Sequence, residues 1–161
     1  MPNNIAALGT NAYVATAAII RPNNVTPYSI NDVVGGVLTF PNMGLNAESV
    51  LINAVQLELD VPSVTGTPNF NLYFYNAAPP SNILDNAPFD LPASDRAAFL
   101  GVINIGSVAD LGSTLYAEIA SISRQTRLLT NALYGYLVTS AVYTPAAVSE
   151  TYKVSMHTVS I

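Results

Sequence analysis

Hydrophobic and polar residues alternate along short segments of the chain, with the period of strands that bury one face. In VLINAVQLELDV, Leu57 and Leu59 alternate with Gln56 and Glu58. The pattern predicts a strand whose apolar side faces a core and whose other side carries acid or amide groups.

The segment NFNLYFY has the same period. Phe70, Leu72 and Phe74 share one face, while Tyr73 and Tyr75 share the other with two asparagines. We therefore predict a second half-buried strand whose exposed face carries amide and phenol groups.

Proline and glycine interrupt the chain at short intervals, which is typical of an all-β domain. Further runs rich in β-branched and aromatic residues predict more strands, namely Ala12 to Ile20, Val37 to Phe40, Leu100 to Ile105, Leu115 to Ile122, Arg127 to Thr130, Leu133 to Tyr143 and Tyr152 to Ile161. Eight or nine strands favour a single-domain antiparallel β-sandwich of jelly-roll type, with an up-and-down barrel as the alternative. The double glycine Gly35-Gly36 predicts a bend or bulge within a strand.

The remaining segments predict an N-terminal arm, one short helix and one long loop. Residues 1–12 are expected to form the extended arm, and residues 13–161 the β-sandwich domain. The helix is expected in DRAAF, because Ser94 can cap its start and Asp95 suits its first turn. Residues 76–92 form the longest irregular segment, and loops of this length are usually functional or mobile.

Charge is scarce in this chain of 161 residues, where 9% are charged and 50% are hydrophobic. An average soluble domain has roughly 25% charged residues. A charge-poor surface packs readily against neighbours, because little charge must be desolvated on contact. The net charge of −5 argues against a nucleic acid partner, since phosphate binding needs a cluster of Lys and Arg and the five basic residues are mostly scattered.

The absence of certain residues and segments indicates the compartment in which the protein is made. No Cys is present, which fits a reducing cytoplasm. No secretory signal is visible, and the longest apolar run, Ala12 to Ile20, is too short to cross a membrane, so no membrane partner is expected.

The candidate catalytic and metal-binding residues are few. His157 shares a strand face with Ser155, but two residues at this spacing lie roughly 6–7 Å apart, too far for a direct Ser-His pair. Asp85, Asp90 and Asp95 predict a solvated acidic loop, with a structural cation as a minor alternative. We predict no enzyme activity, no cofactor and no metal.

The tyrosine residues are the main sequence feature that indicates a function. In LYGYLV, Tyr134 and Tyr136 share a face that is predicted to point away from the core. Tyrosine is enriched where proteins meet proteins, and the shortage of charge favours an interface role for these residues.

Four segments of the chain resemble a family of small structural proteins from tailed bacteriophages. They are DVVGGVLTFPNMG, LYFYNAAPPSN, FLGVINI and LYGYLVTSAVYTPA. The resemblance covers residues from about Tyr28 to Ile161. It implies a non-enzymatic particle component, most often a trimeric decoration protein of the outer capsid.

The hypothesis from sequence is therefore a capsid decoration protein that is made in the host cytoplasm and located on the outer capsid surface of the virion. Its expected partners are the major capsid protein and itself, as a homotrimer. The expected contact residues are Ile5, Leu8, Tyr13, Phe89, Tyr134 and Tyr136. The alternatives are a tail, baseplate or head-fibre component, and a carbohydrate-binding β-sandwich that holds a sugar with Tyr73, Tyr75 and loop aspartates.

Overall fold

A computed structural model of the protein describes residues 11–161, so Ile5 and Leu8 lie outside the described residues. The described part contains twelve strands: β1 (Ala12–Ile20), β2 (Val33–Phe40), β3 (Ser49–Leu59), β4 (Thr65–Gly66), β5 (Asn69–Tyr75), β6 (Phe99–Ser107), β7 (Ala109–Asp110), β8 (Leu115–Ile119), β9 (Arg124–Arg127), β10 (Leu133–Thr139), β11 (Tyr143–Thr144) and β12 (Thr151–Ser160). The count exceeds the predicted eight or nine, because β4, β7, β9 and β11 are short additions. Within residues 11–161 there is no helix long and apolar enough to cross a membrane.

The strands form two antiparallel sheets and a small ribbon. The large sheet has the order β1-β12-β3-β8-β7, with β9 also paired to β3, and the small sheet has the order β2-β10-β5-β6. When the eight long strands are numbered among themselves, these orders read 1-8-3-6 and 2-7-4-5. This is the connectivity of a jelly roll, so the predicted β-sandwich of jelly-roll type is confirmed.

The main core lies between the two sheets. It takes alternate residues from each strand, so Leu57 and Leu59 of β3 face Phe70, Leu72 and Phe74 of β5, and all five are fully buried. The predicted inner faces of β3 and β5 are thereby confirmed. Each such side chain contributes about 1.5–3 kcal/mol of apolar burial.

A bulge in β2 brings the edges of the two sheets together. Tyr136 pairs with Val37 and Leu137 with Val34, which leaves Gly35 and Gly36 as extra residues in β2. Both have positive φ, +79° and +91°, and a Cβ on Gly35 would lie 2.2 Å from Cγ2 of Ile19. The predicted bulge at the double glycine is therefore confirmed, and only glycine fits this close approach.

Residues 76–98 cover the outer face of the small sheet and form a second apolar cluster there. Its fully buried members are Val33, Tyr75, Tyr136 and Val138, and Phe89 packs over them from the covering segment. We call residues 76–98 the strap. Its backbone also pairs with the start of β2, where Val33 N–H donates to the Ala87 carbonyl across 2.9 Å.

The predicted short helix is wrong, since residues 93–98 form turns that lead directly into β6. The chain makes one helical turn, in which Phe99 N–H donates to the Asp95 carbonyl, and then enters the sheet. The carboxylate of Asp95 faces inward to Ser81, so it is not placed to stabilise a helix N-terminus.

Candidate interaction surface at one end of the sandwich

Three loops meet at the end of the sandwich where β1 and β3 end and β12 begins. They are residues 22–31, 61–68 and 140–149, and we call them the neutral end. Tyr28 N–H donates to the Tyr143 carbonyl across 2.9 Å, and Tyr143 pairs with Gly66, so the three loops are in direct contact. None of them contains Asp, Glu, Lys, Arg or His.

Large apolar side chains are exposed on this surface. Val25, Ile30, Val142 and Val148 are each between 45% and 58% exposed. Single exposed apolar residues are ordinary on any protein. Here two of them lie on the loop of residues 22–31 and two on the adjacent loop of residues 140–149, both without charge. The neutral end is therefore a surface that loses little hydration energy when covered.

The charges that border the first and third loops lie beneath the surface, whereas Asp60, which precedes the second loop, is exposed. Arg21 and Glu150, which border the first and third loops, are 2% and 5% exposed. Nη1 of Arg21 lies 4.0 Å from Oε2 of Glu150, and Nε of Arg21 donates to the Tyr28 hydroxyl oxygen across 2.8 Å. The ion pair therefore supports the neutral end from inside the molecule.

Tyr28 connects this ion pair to the strap. Its hydroxyl donates to Oδ1 of Asp85 across 2.6 Å, and this Oδ1 also accepts from Gly35 N–H across 2.7 Å. The Tyr28 ring stacks on that of Tyr143, with 5.0 Å between centroids. Two loops of the neutral end and the strap are thus fixed to one another by a single tyrosine.

Glu150 fixes the third loop through both of its carboxylate oxygens. Oε1 accepts from Ala147 N–H across 2.7 Å, and Oε2 accepts from the Tyr152 hydroxyl across 2.6 Å. Charged acceptors of this kind form stronger hydrogen bonds than neutral ones. The loop of residues 140–149 is therefore held close to the sandwich.

The buried tyrosines of this network have raised pKa values. Burial raises the pKa of Tyr28, Tyr143 and Tyr152 well above that of a free tyrosine. The hydrogen bond to Asp85 adds to the effect at Tyr28, and the bond to Glu150 adds to it at Tyr152. These phenols stay neutral at physiological pH, so they serve as structural hydrogen-bond donors and do not act as bases.

The contact residues predicted from sequence do not gather in one place. Tyr13 is half-buried on β1, whereas Phe89 lies in the strap. Tyr136 is fully buried beneath the strap, where its hydroxyl accepts from Ile83 N–H across 3.0 Å, and Tyr134 is half-buried at the edge of the same cluster. Tyr136 therefore presents no surface to a partner, and the contact roles of the other residues stay predictions.

The tyrosines expected to bind sugar are packed against other side chains of the protein. Tyr75 was expected to be exposed, and this is wrong, because Phe99 and Tyr136 pack around it and leave it fully buried. The ring of Tyr73 lies 4.0 Å from that of Phe89, measured between centroids. The residues that motivated the carbohydrate-binding alternative are thus covered by the strap.

The histidine and the loop acids have structural partners. His157 Nε2 lies 3.2 Å from Oε1 of Gln56. Asp95 is fully buried and accepts hydrogen bonds from Ser81 and Ser94, so the predicted solvated acidic loop is wrong at this position. Among residues 11–161, no three side chains of the metal-binding types lie close together.

Sequence reasoning missed the neutral end. Charge-free stretches occur in several parts of this chain, and in β5 and β10 such stretches are mostly buried. The available signal was the combination of proline-rich, non-alternating loops with a lack of charge, as in PNNVTPYSIN, VPSVTGTP and SAVYTPAAVS. The burial of Arg21 and Glu150 could not be inferred from the sequence.

Comparison with known proteins finds capsid structures. No family model matches the chain, and no curated protein matches it. Among solved structures, a chain of the cyanophage Pam1 capsid asymmetric unit aligns with 10% identity over 99% of this chain and 91% of that chain, with a TM-score of 0.35. A rhinovirus-B5 chain aligns with 16% identity over 89% and 71% of the two chains, with a TM-score of 0.27. An infectious bursal disease virus (IBDV) T13 particle chain aligns with 13% identity over 94% and 38%, with a TM-score of 0.30. Scores at this level do not establish kinship with these proteins.

Proposed function

We propose that the protein is a non-enzymatic structural component of a virus particle, and that it decorates the outer surface of a capsid. The observation that carries the proposal is the neutral end, an uncharged and partly apolar surface held in place by buried charges. The resemblance of the four sequence segments to tailed-phage structural proteins supports the same role. The proposed partners are the major capsid protein and further copies of this chain, arranged as the homotrimer that the resemblance implies.

The neutral end is the proposed contact with the shell. Its loops would lose little hydration energy on contact, and its apolar side chains would gain burial. Tyr28, Glu150 and the ion pair beneath hold the loops in one conformation, so little conformational entropy is lost on binding. The net negative charge of the chain suits the outside of a shell rather than a DNA-facing interior.

The proposal is tested by binding of purified variants to capsids assembled without this protein. Ile30→Asp and Val142→Asp each place a charge in the neutral end, where both native side chains are 58% exposed. The matched control is Leu129→Asp at the opposite end of the sandwich, where Leu129 is 59% exposed. We expect at least a tenfold loss of affinity for the first two variants and none for the control. Equal binding by all three variants would contradict the proposed contact.

A tail, baseplate or head-fibre location is the second candidate within the same class. The neutral end would serve equally well against any of these assemblies. Cryo-electron microscopy of particles with and without the protein distinguishes them, since additional density would appear on the shell in one case and on the tail or fibre in the other.

A further inference from the structure

The outer edge of β1 is open in the described structure. Strand β1 pairs with β12 without any register shift, from Ala12 opposite Val159 to Ile20 opposite Thr151. Within residues 11–161, no strand pairs with its other side. An open edge is a template for pairing with another chain.

The hydrogen bonds at the two ends of β1 show which backbone groups face outward. Ser160 N–H donates to the Asn11 carbonyl, and Arg21 N–H donates to the Glu150 carbonyl, both across 2.9 Å. Bonded and non-bonded pairs alternate in an antiparallel ladder, so the odd-numbered residues of β1 bond to β12. The N–H and C=O groups of the even-numbered residues, including Thr16, therefore point to the open edge.

The other edge strands have features that β1 lacks. Strand β6, at the free end of the small sheet, is interrupted by two register shifts against β5. The strap covers the start of β2, where Asn86 N–H donates to the Val33 carbonyl across 2.8 Å. Strand β7 is two residues long and ends in Asp110. Strand β1 has nine residues with no charge, proline or bulge.

We infer that β1 pairs with β1 of a second copy, antiparallel and around a two-fold axis at Thr16. This register uses the whole strand and places each large outward side chain opposite a small one. Val14 faces Ala18 of the second copy, Ile20 faces Ala12, and Thr16 faces itself. Val14 and Ile20 are 57% and 75% exposed in the single chain, so pairing covers apolar surface as well as backbone.

Strand β1 itself carries no charge that would oppose this contact. The ionic group on β12 next to the edge is Lys153, opposite Ala18, and it is paired with Glu58 across 3.8 Å. A two-fold contact cannot close a ring of three, so in the proposed trimer it joins chains of different trimers. The inference does not depend on shell binding, because it concerns the protein alone in solution.

Cysteine cross-linking tests the contact on the full-length chain. The protein has no Cys, so each introduced thiol is unique. In a hydrogen-bonded pair the two Cα atoms lie about 5.5 Å apart, within disulfide range. We expect Thr16→Cys to form a disulfide-linked dimer under mild oxidation, at least tenfold faster than the control Gln125→Cys on the exposed strand β9. Equal rates, or a Thr16→Cys chain that stays monomeric because residues 1–10 or another protein occupy the edge, would overturn the inference.

The register is tested by mixing variants. Ala12→Cys and Ile20→Cys should cross-link with each other and much more slowly with themselves, whereas self-linking at the mixed rate would overturn the antiparallel register. A second measurement uses charge in place of oxidation. Thr16→Lys and Thr16→Glu should each weaken self-association in sedimentation velocity, and an equimolar mixture should restore it. Self-association unchanged in either single variant would also overturn the inference.

Discussion

The hydroxyl of Tyr28 donates a hydrogen bond to Asp85 across 2.6 Å and accepts one from Arg21 across 2.8 Å. These two bonds join a loop of the neutral end to the strap on one side and to the buried ion pair on the other. The surface proposed to contact a shell is thus supported by the same residues that close the fold.

Tyr28→Phe should destabilise the protein by about 1–3 kcal/mol, because it leaves the buried Nε–H of Arg21 without an acceptor and removes one of the two hydrogen bonds to Oδ1 of Asp85. The measurement is the free energy of unfolding from urea denaturation. The matched control is Tyr116→Phe, whose hydroxyl also donates to a carboxylate across 2.6 Å, that of Glu118, but in an exposed position. We expect the control to change stability by less than about 0.5 kcal/mol. Similar losses in both variants would contradict the role assigned to Tyr28.

Glu150→Gln should cost about 3–5 kcal/mol, because it leaves the Arg21 guanidinium buried without a counter-charge. The double variant Arg21→Met/Glu150→Gln should lose less than the single variant, since no buried charge remains. Glu58→Gln, which breaks the half-exposed pair with Lys153, should cost no more than about 1 kcal/mol. Chemical denaturation of the three variants measures these differences, and a double variant less stable than Glu150→Gln would contradict the account.

Alkaline pH should unfold the protein above about pH 10, where tyrosine in an unfolded chain loses its proton. Burial raises the pKa of Tyr28, Tyr75, Tyr143 and Tyr152, so the folded chain keeps protons that the unfolded chain releases. The contribution of these tyrosines to the free energy of unfolding is therefore fully present below pH 10. It is lost as pH rises, by about 1.4 kcal/mol per pH unit for each such tyrosine. Tyrosinate absorbance and circular dichroism should show their main transitions together. Full tyrosine ionisation with the β-structure intact would refute the assigned burial.

Tyr136→Phe should loosen the strap, because the Tyr136 hydroxyl accepts from Ile83 N–H and lies 3.2 Å from the Ser81 hydroxyl. The measurement is the rate of trypsin cleavage after Arg96, an exposed residue within the strap. Tyr134→Phe on the same strand is the control, since the described structure shows no hydrogen bond between the Tyr134 hydroxyl and the strap. We expect faster cleavage in the first variant alone, and unchanged cleavage in both would show that this hydroxyl does not hold the strap.

The sequence predicted the parts of the fold that depend on local pattern. Strands β1 and β5 have the predicted bounds, and the alternation around Leu57 identified an inner face. The predicted strand from Leu133 to Tyr143 divides into β10, which ends at Thr139, and β11, which pairs with β4 instead of with β2 or β5. Such long-range contacts leave no periodic signal.

The candidate site was less predictable for the same reason. Period-two alternation separates the two faces of β5, but it does not reveal that the strap, which follows β5 directly in the chain, folds back over the face with Tyr75. Likewise, a lone arginine before a proline-rich loop gives no sign that Arg21 is buried against Glu150. Tyrosine is also ambiguous, because it suits both a core rim and an interface.

The most direct test of the central claim is a cryo-electron microscopy map of the particle at a resolution that shows side chains. The account predicts that the loops of residues 22–31, 61–68 and 140–149 are covered by another protein, with Ile30 and Val142 in the contact. A map in which the protein is attached to the particle through another surface, with these three loops bare in solvent, would contradict it.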